Sequence, residues 1–189
     1  MEMKGLRLLQ ADGVTTWTML NDAEVLGQCV PGCERLAATS ANSYEIVMNV
    51  AVGPVKTRFK GKMTLSDIEP PNRYRLLFDG QSGQAGFARG EVRVELQEIA
   101  AGETQLSYAA TAQVGGKLAQ IGSRLIDAAA GATADKFFEC FAAQVAARGS
   151  ASRGSPGDKR RQAPVARAPA RMGLWSWLKS FLRHVLARR

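Results

Sequence analysis

The chain has a single histidine, His184, and it lies near the end. No Ser-His-Asp or Cys-His arrangement can therefore be assembled in the first three quarters of the sequence, and no His-based metal site either. Cysteine is scarce, with three residues in all. Cys29 and Cys33 form a C-x3-C pair without a third and fourth ligand nearby, which is a poor zinc pattern, and Cys140 lies far from both. The opening MEMKGLRLLQADG lacks an apolar core and a small-residue cleavage site, so no secretory signal is expected and the thiols are expected to be reduced. No apolar run approaches the roughly 18–20 residues that span a bilayer. The glycines from Gly80 to Gly90 lie between two strand patterns rather than ahead of a helix, so they do not form a phosphate-cradling loop. Asp79 and Glu91 fall on outward strand positions and read as solvated charge. This inventory argues against an enzyme.

Acidic residues are missing from one region only. Residues 1–148 carry 15 Lys+Arg against 16 Asp+Glu, whereas residues 149–189 carry 10 Lys+Arg and only Asp158. The basic character thus belongs to the tail and not to the domain before it. Within that tail, residues 149–171 are rich in Gly, Ser, Pro, Ala and Arg and read as a disordered linker. Residues 172–189 are different. Leu174, Trp177, Leu178, Phe181, Leu182, Val185 and Leu186 follow helical spacing along one face, with Lys179, Arg183, His184 and Arg188 opposite and Trp175 at the boundary. An aromatic and leucine face, a cationic opposite face and no acid describe an interfacial helix. This pattern points to an anionic membrane rather than to nucleic acid, with a partner's groove or the chain's own domain as the alternatives for the helix to dock on. Leu174, Trp175, Trp177, Leu178, Lys179, Phe181, Leu182, Arg183 and Val185 are the expected membrane-binding residues.

From Met3 to Val114 the pattern is mostly period two. Met3 to Leu9 suits a strand. Residues 15–29 suit one or two short helices, capped by Thr15 or Thr16 and by Asp22, with Trp17 and Leu20 facing inward. In Val55–Leu65, apolar residues alternate with Lys56, Arg58, Lys60 and Lys62, giving one buried and one basic face. Tyr74, Leu76 and Phe78 share a face in the next segment. Val92, Val94 and Leu96 do so in the one after, and Leu106, Tyr108, Ala110 and Ala112 in the last. Gly115–Arg148 then reads as one long helix whose apolar stripe changes direction near Gly131. Its first half carries Leu118, Ile121, Gly122, Leu125 and Ala129, and its second Phe137, Phe138, Phe141 and Val145. About seven antiparallel strands followed by a long helix predict an α+β helix-grip fold, a curved antiparallel sheet around a C-terminal helix. The expected organisation is a domain over 1–148, a linker over 149–171 and a detached amphipathic helix over 172–189.

Two motif groups narrow this. Trp17, Leu20-Asn21-Asp22, Val25-Leu26 and Cys29 to Glu34 form the first; Gly116 to Leu125 followed by Ala134 to Phe138 forms the second. Together they resemble the carbon monoxide dehydrogenase G-subunit family, within the lipid-transfer and polyketide-cyclase-like (START/Bet v 1-like) superfamily, over residues 1–147. The resemblance implies a non-catalytic accessory protein of a molybdenum-containing dehydrogenase, above all aerobic carbon monoxide dehydrogenase. It further implies an apolar cavity that holds a respiratory quinone (menaquinone or ubiquinone) and a link to the cytoplasmic membrane, with the protein cytoplasmic and peripheral on the inner face. No nucleic acid, metal or covalently bound cofactor is implied. In such folds the pocket lies between sheet and helix. The expected lining is Phe59, Met63, Leu76, Phe78, Val92, Val94 and Tyr108 from the sheet, with Leu118, Ile121, Gly122 and Leu125 from the helix. The Phe137/Phe138/Phe141 half would fasten the helix and the Leu118–Ala129 half would roof the pocket. The alternatives are a membrane-recruitment adaptor without cargo and, disfavoured by the missing histidine, a hydrolase or cyclase.

Overall fold

The alternating segments become seven strands of one antiparallel sheet in the computed structural model, which describes residues 1–153. The strands are β1 (Glu2–Leu9), β2 (Cys33–Ser40), β3 (Ser43–Val52), β4 (Val55–Glu69), β5 (Arg73–Ser82), β6 (Gly86–Ala100) and β7 (Glu103–Gly115). Their order is β1-β7-β6-β5-β4-β3-β2. From β2 to β7 each strand pairs with its chain neighbour, and β1 returns to pair with β7. The helices α1 (Gly13–Leu20) and α2 (Ala23–Cys29) carry the chain from one edge of the sheet to the other. The long helix α3 (Ser123–Arg153) follows the last strand. This is the curved sheet and C-terminal helix expected from the residues. The linker and tail-helix readings lie outside the described residues, except that α3 continues to Arg153, five residues into the stretch read as linker.

The curvature has a source in the sequence. Inner-face positions of adjacent strands pair Gly61 with Gly80, Gly80 with Ala88, and Gly90 with Ala112. These residues are too small to prop the sheet flat, and aromatic rings fill part of the space. A Cβ on Gly80 would stand 3.4 Å from Phe59 Cδ1, and one on Gly90 would stand 2.9 Å from Phe78 Cζ.

Helix α3 is held by its second half. Phe141 and Val145 are fully buried in a core with Leu9, Met19, Val25 and Leu106. The helix starts later than its apolar pattern suggests. Residues Gly116–Ile121 form a 3-10 turn, and Gly122 then takes φ +92°, a conformation that favours glycine. The first short helix is capped by Asp12, not by Thr15 or Thr16. The Asp12 carboxylate accepts from Thr15 N and Thr15 Oγ1, each at 2.8 Å, and these bonds hold its pKa below the ordinary value. Thr16 is instead buried. Asp22 caps α2 as expected, accepting from Glu24 N at 2.9 Å.

One expectation fails outright: Cys29 and Cys140 form a disulfide, which joins α2 to α3, and Cys33 alone is a free thiol. The pair is 111 residues apart in sequence, and only the tertiary fold brings the two Cα atoms to 5.3 Å. Composition therefore gave no reason to single them out. In the unreduced, denatured protein one thiol should titrate, and three after reduction. Cys140→Ser should lower unfolding free energy by about 2–4 kcal/mol in urea titrations without reductant. Three titratable thiols before reduction would refute the bridge.

Candidate functional site

The concave face of the sheet and α3 do not fill the space between them. The space has two lobes. The enclosed lobe has a volume of about 240 Å³ and lies under the second half of α3. Strand residues Met63, Leu76, Val92 and Val94 form its floor. Phe137, Phe138 and Ala134 form its roof, and Leu26 and Val30 close it from the α2 side. All three tyrosines of the chain, Tyr44, Tyr74 and Tyr108, line this one lobe. Among the described residues every other lining side chain is hydrocarbon or thioether, so the phenol groups are the only polar side-chain groups they contribute.

Tyr108 and Tyr74 are each positioned by specific neighbours. Tyr108 lies across Gly5 of the paired strand β1, where an added Cβ would stand 2.6 Å from its Cζ. On its other side Tyr108 stacks on Phe138, with centroids 5.1 Å apart and planes 25° apart. The Arg7 guanidinium sits over both rings, 5.1 Å from the Phe138 centroid and 5.9 Å from that of Tyr108, and pairs with Asp135 of α3 at 2.5 Å. The ring of Tyr74 meets Trp17 of α1 edge-on at 5.5 Å. Burial pushes the Tyr74 phenol well above its ordinary range, with Tyr44 nearby adding to the effect. The Tyr44 phenol is pushed up chiefly by burial and secondarily by Asp22. Both are therefore neutral O–H donors at physiological pH.

The second lobe is larger, about 600 Å³, and more open. It lies under the first half of α3, between Val50 and Val52 on β3, Ala88 and Val114 at the far side, and Ile126, Ala129, Ala130 and Thr133 above. Met3, Val30, Ala134 and Phe137 border both lobes, so the two adjoin. The depressions on the convex face are different in kind. Asp79, Arg89 and Glu91 line one of them, and Glu91 pairs with Arg93 at 3.1 Å, as expected for solvated charge.

Of the residues expected to line the cavity, Met63, Leu76, Val92, Val94 and Tyr108 border the enclosed lobe, and Phe78 and Leu118 the open one. Phe59 is core, packed with Val52 and Leu118, and Ile121 packs against that cluster. Gly122 and Leu125 line neither lobe. Gly122 sits in the left-handed turn with open space where a Cβ would be, and Leu125 is 51% exposed. The cause is the later start of α3, which turns Ile126, Ala129 and Ala130 inward instead. The expected division of the helix also changes: Phe137 and Phe138 both fasten it and roof the enclosed lobe. Tyr44, Tyr74, Phe137 and Phe138 were missed as lining. Tyr74 carried a usable signal, because it shares its strand face with Leu76 and Phe78.

A family model described as the G subunit of carbon monoxide dehydrogenase (CoxG) matches residues 9–146. No curated protein matches the chain. Among solved structures, a conserved protein from Geobacillus kaustophilus is 30% identical with a TM-score of 0.74, over 78% of this chain and 96% of that one. A START superfamily protein from Mycobacterium smegmatis is 12% identical with a TM-score of 0.61, over 78% and 98%. The ZhuI aromatase/cyclase from Streptomyces sp. R1128 is 14% identical with a TM-score of 0.61, over 82% and 99%. The last two likenesses are of fold alone.

Two glycines give opposite expectations. Gly5→Ala drives a methyl into the Tyr108 ring and should destabilise by about 1–3 kcal/mol. Gly131→Ala lies mid-helix with open space around it and should stabilise by about 0.5–1 kcal/mol. Urea titration checks both, and equal effects would refute the Gly5–Tyr108 packing. The buried Tyr74 predicts an alkaline limit. An unfolded tyrosine titrates near pH ~10, so above that pH the unfolded state sheds a proton that the folded state keeps. Stability is then fully present below pH ~10 and falls as pH rises, and Tyr74→Phe should flatten that fall. A slope unchanged by the substitution would count against the buried phenol.

Proposed function

Because the chain belongs to the CoxG family, that of the carbon monoxide dehydrogenase G subunit, we propose that it is a non-catalytic accessory of a molybdenum-containing dehydrogenase that carries a respiratory quinone in its two-lobed cavity. The observation that carries this reading is the chemistry of the enclosed lobe, an apolar chamber whose polar side-chain groups are three phenols. A quinone ring is flat, neutral and bordered by carbonyl oxygens, which accept hydrogen bonds from such donors. A charged headgroup would lose its hydration there without gaining a counter-charge, so the lobe favours neutral amphiphiles.

Size supports a division between the lobes. The enclosed lobe, about 240 Å³, falls below the ~300–1,000 Å³ typical of pockets for drug-sized ligands. It suits a ring and not a ring with its isoprenoid chain. The open lobe, lined mostly by aliphatic side chains with Asn49, Thr133 and Lys136 among them, suits the chain. Such a carrier solves a physical problem, since an enzyme in water must pass electrons to an acceptor that dissolves only in lipid.

In this reading the amphipathic segment over 172–189 holds the protein on the inner face of the cytoplasmic membrane. No helix among the described residues is long and apolar enough to cross a bilayer. The segment between domain and tail acts as a tether, which raises the local concentration of the domain near lipid and enzyme without new contacts. The carrier reading requires that menaquinone or ubiquinone be recovered by organic extraction of the purified protein, or bind when added. With a water-soluble short-chain quinone, Tyr44→Phe and Tyr74→Phe should each weaken binding about three- to tenfold, the worth of one hydrogen bond. Protein that neither retains nor binds any quinone, while keeping its circular dichroism, would sink the reading and leave a recruitment adaptor.

A further inference from the structure

The two ends of the sheet carry different surfaces. One end gathers the Gly53–Pro54 turn between β3 and β4, the Gly83–Ala85 turn between β5 and β6, the Gly115–Gly116 exit from β7 and the N-terminus of α3. The opposite end carries the turns after β2, β4 and β6. At the first end Leu125 is 51% exposed and lies against the hairpin turn, where a Cβ on Gly53 would stand 3.8 Å from its Cδ1. Beneath it, Val52, Val55, Leu118 and Ile121 form one apolar cluster. The open lobe reaches this end through Val52, Leu118 and Ile126.

The charge around this apolar edge is mostly of one sign, with Asp127 near the start of α3 as the exception. Lys56, Lys117 and Arg124 adjoin the cluster in sequence and are exposed, and no ion pair joins any of them to another described residue. No acidic residue occurs from 46 to 66 or from 104 to 126. The α3 N-terminus adds the positive pole of a 31-residue helix. At the opposite end the charges are compensated: Arg73 pairs with Glu69 at 2.5 Å and Arg75 with Asp67 at 3.0 Å.

We propose that the first end is a lipid-docking rim, which rests on an anionic bilayer with Leu125 and the Gly53–Pro54 turn in the interface, so that the open lobe faces hydrocarbon. Its purpose rests on the carrier reading, but its geometry does not. Charge selects the occupant. A second copy would present the same cationic rim, and residues 149–189 of the chain itself are strongly basic, so both are repelled. An exposed leucine in front of an apolar chamber, with Lys56, Lys117 and Arg124 nearby against the single acid Asp127, matches lipid rather than a polar acidic surface.

The test uses the full chain with Cys33→Ala and an environment-sensitive fluorophore attached through Leu125→Cys, or through Asn72→Cys at the opposite end. Vesicles containing phosphatidylglycerol should shift the emission of the label at position 125 to the blue and allow quenching by acyl-chain nitroxides. The label at position 72 should not respond, and neither should 125 with pure phosphatidylcholine. Lys56→Gln and Arg124→Gln should each lower the inserted fraction about fivefold, the effect of one cation near an anionic surface. A label at 125 that stays aqueous while the protein floats with vesicles overturns the rim and leaves quinone binding untouched. A blue shift without lipid overturns it too. Without lipid, a blue shift that depends on protein concentration would assign the face to a second copy, and one that disappears on deleting 172–189 would assign it to the chain's own tail.

Discussion

Phe141 and Val145 seat the second half of α3 against the closed end of the sheet, with no exposed surface left on either. The remaining features depend on this one attachment. A helix is straight over several turns, whereas the sheet beneath it curves away along a strip of glycines and alanines. Once the far half is fixed in contact, the near half must stand over residues too small to reach it. The open lobe is therefore a consequence of where the volume lies in the sequence. Large side chains are concentrated at one end of the grip and withheld at the other.

Strand periodicity was legible because it repeats. Val55 to Leu65 and Val92 to Leu96 each state their inner face several times, and no tertiary contact overrules them. The floor of the cavity was readable for the same reason. The roof was not, because a helix start rests on one residue. Gly122 sits inside a continuous apolar pattern, and only its left-handed φ separates the 3-10 turn from α3. Moving the start past Gly122 turned Leu125 outward and Ile126 inward. The disulfide was illegible for a different reason. A bridge between Cys29 and Cys140 is a fact about two helices meeting, and nothing local to either cysteine encodes the other. Tyr44 and Tyr74 lay between these cases: their inward parity was visible, but their convergence with Tyr108 on one chamber needed the register of the whole sheet.

That convergence sets the chemistry. Burial raises the pKa of the Tyr44 and Tyr74 phenols, so in an apolar chamber these two can donate hydrogen bonds but supply no charge. The charged side chains of the domain lie elsewhere, mostly on the convex face, where ion pairs such as Arg58–Glu34 are exposed and add little to stability. Arg7 is the exception, since it stacks on Tyr108 and Phe138 at the edge of the chamber. Its pairing with Asp135 leaves it a fastening rather than a free counter-charge. The chamber thus discriminates by polarity more than by sign.

The fastenings of α3 also divide along its length. On one flank Cys140 is bonded to α2, and on the other Asp135 pairs with Arg7 of β1. Both lie toward the closed end, beside the tyrosines. From Ser123 to Ala134 no ion pair or disulfide ties the helix to its neighbours among the described residues. The roof of the enclosed lobe is thus held on both edges, whereas the roof of the open lobe rests on apolar contact alone. In the carrier reading, a ring held at the closed end would meet fixed walls and be selected by shape, whereas a chain leaving through the open end would meet walls that can give way, so its length would be weakly selected. Cys29, 3% exposed, lies under α3, where burial slows thiol exchange.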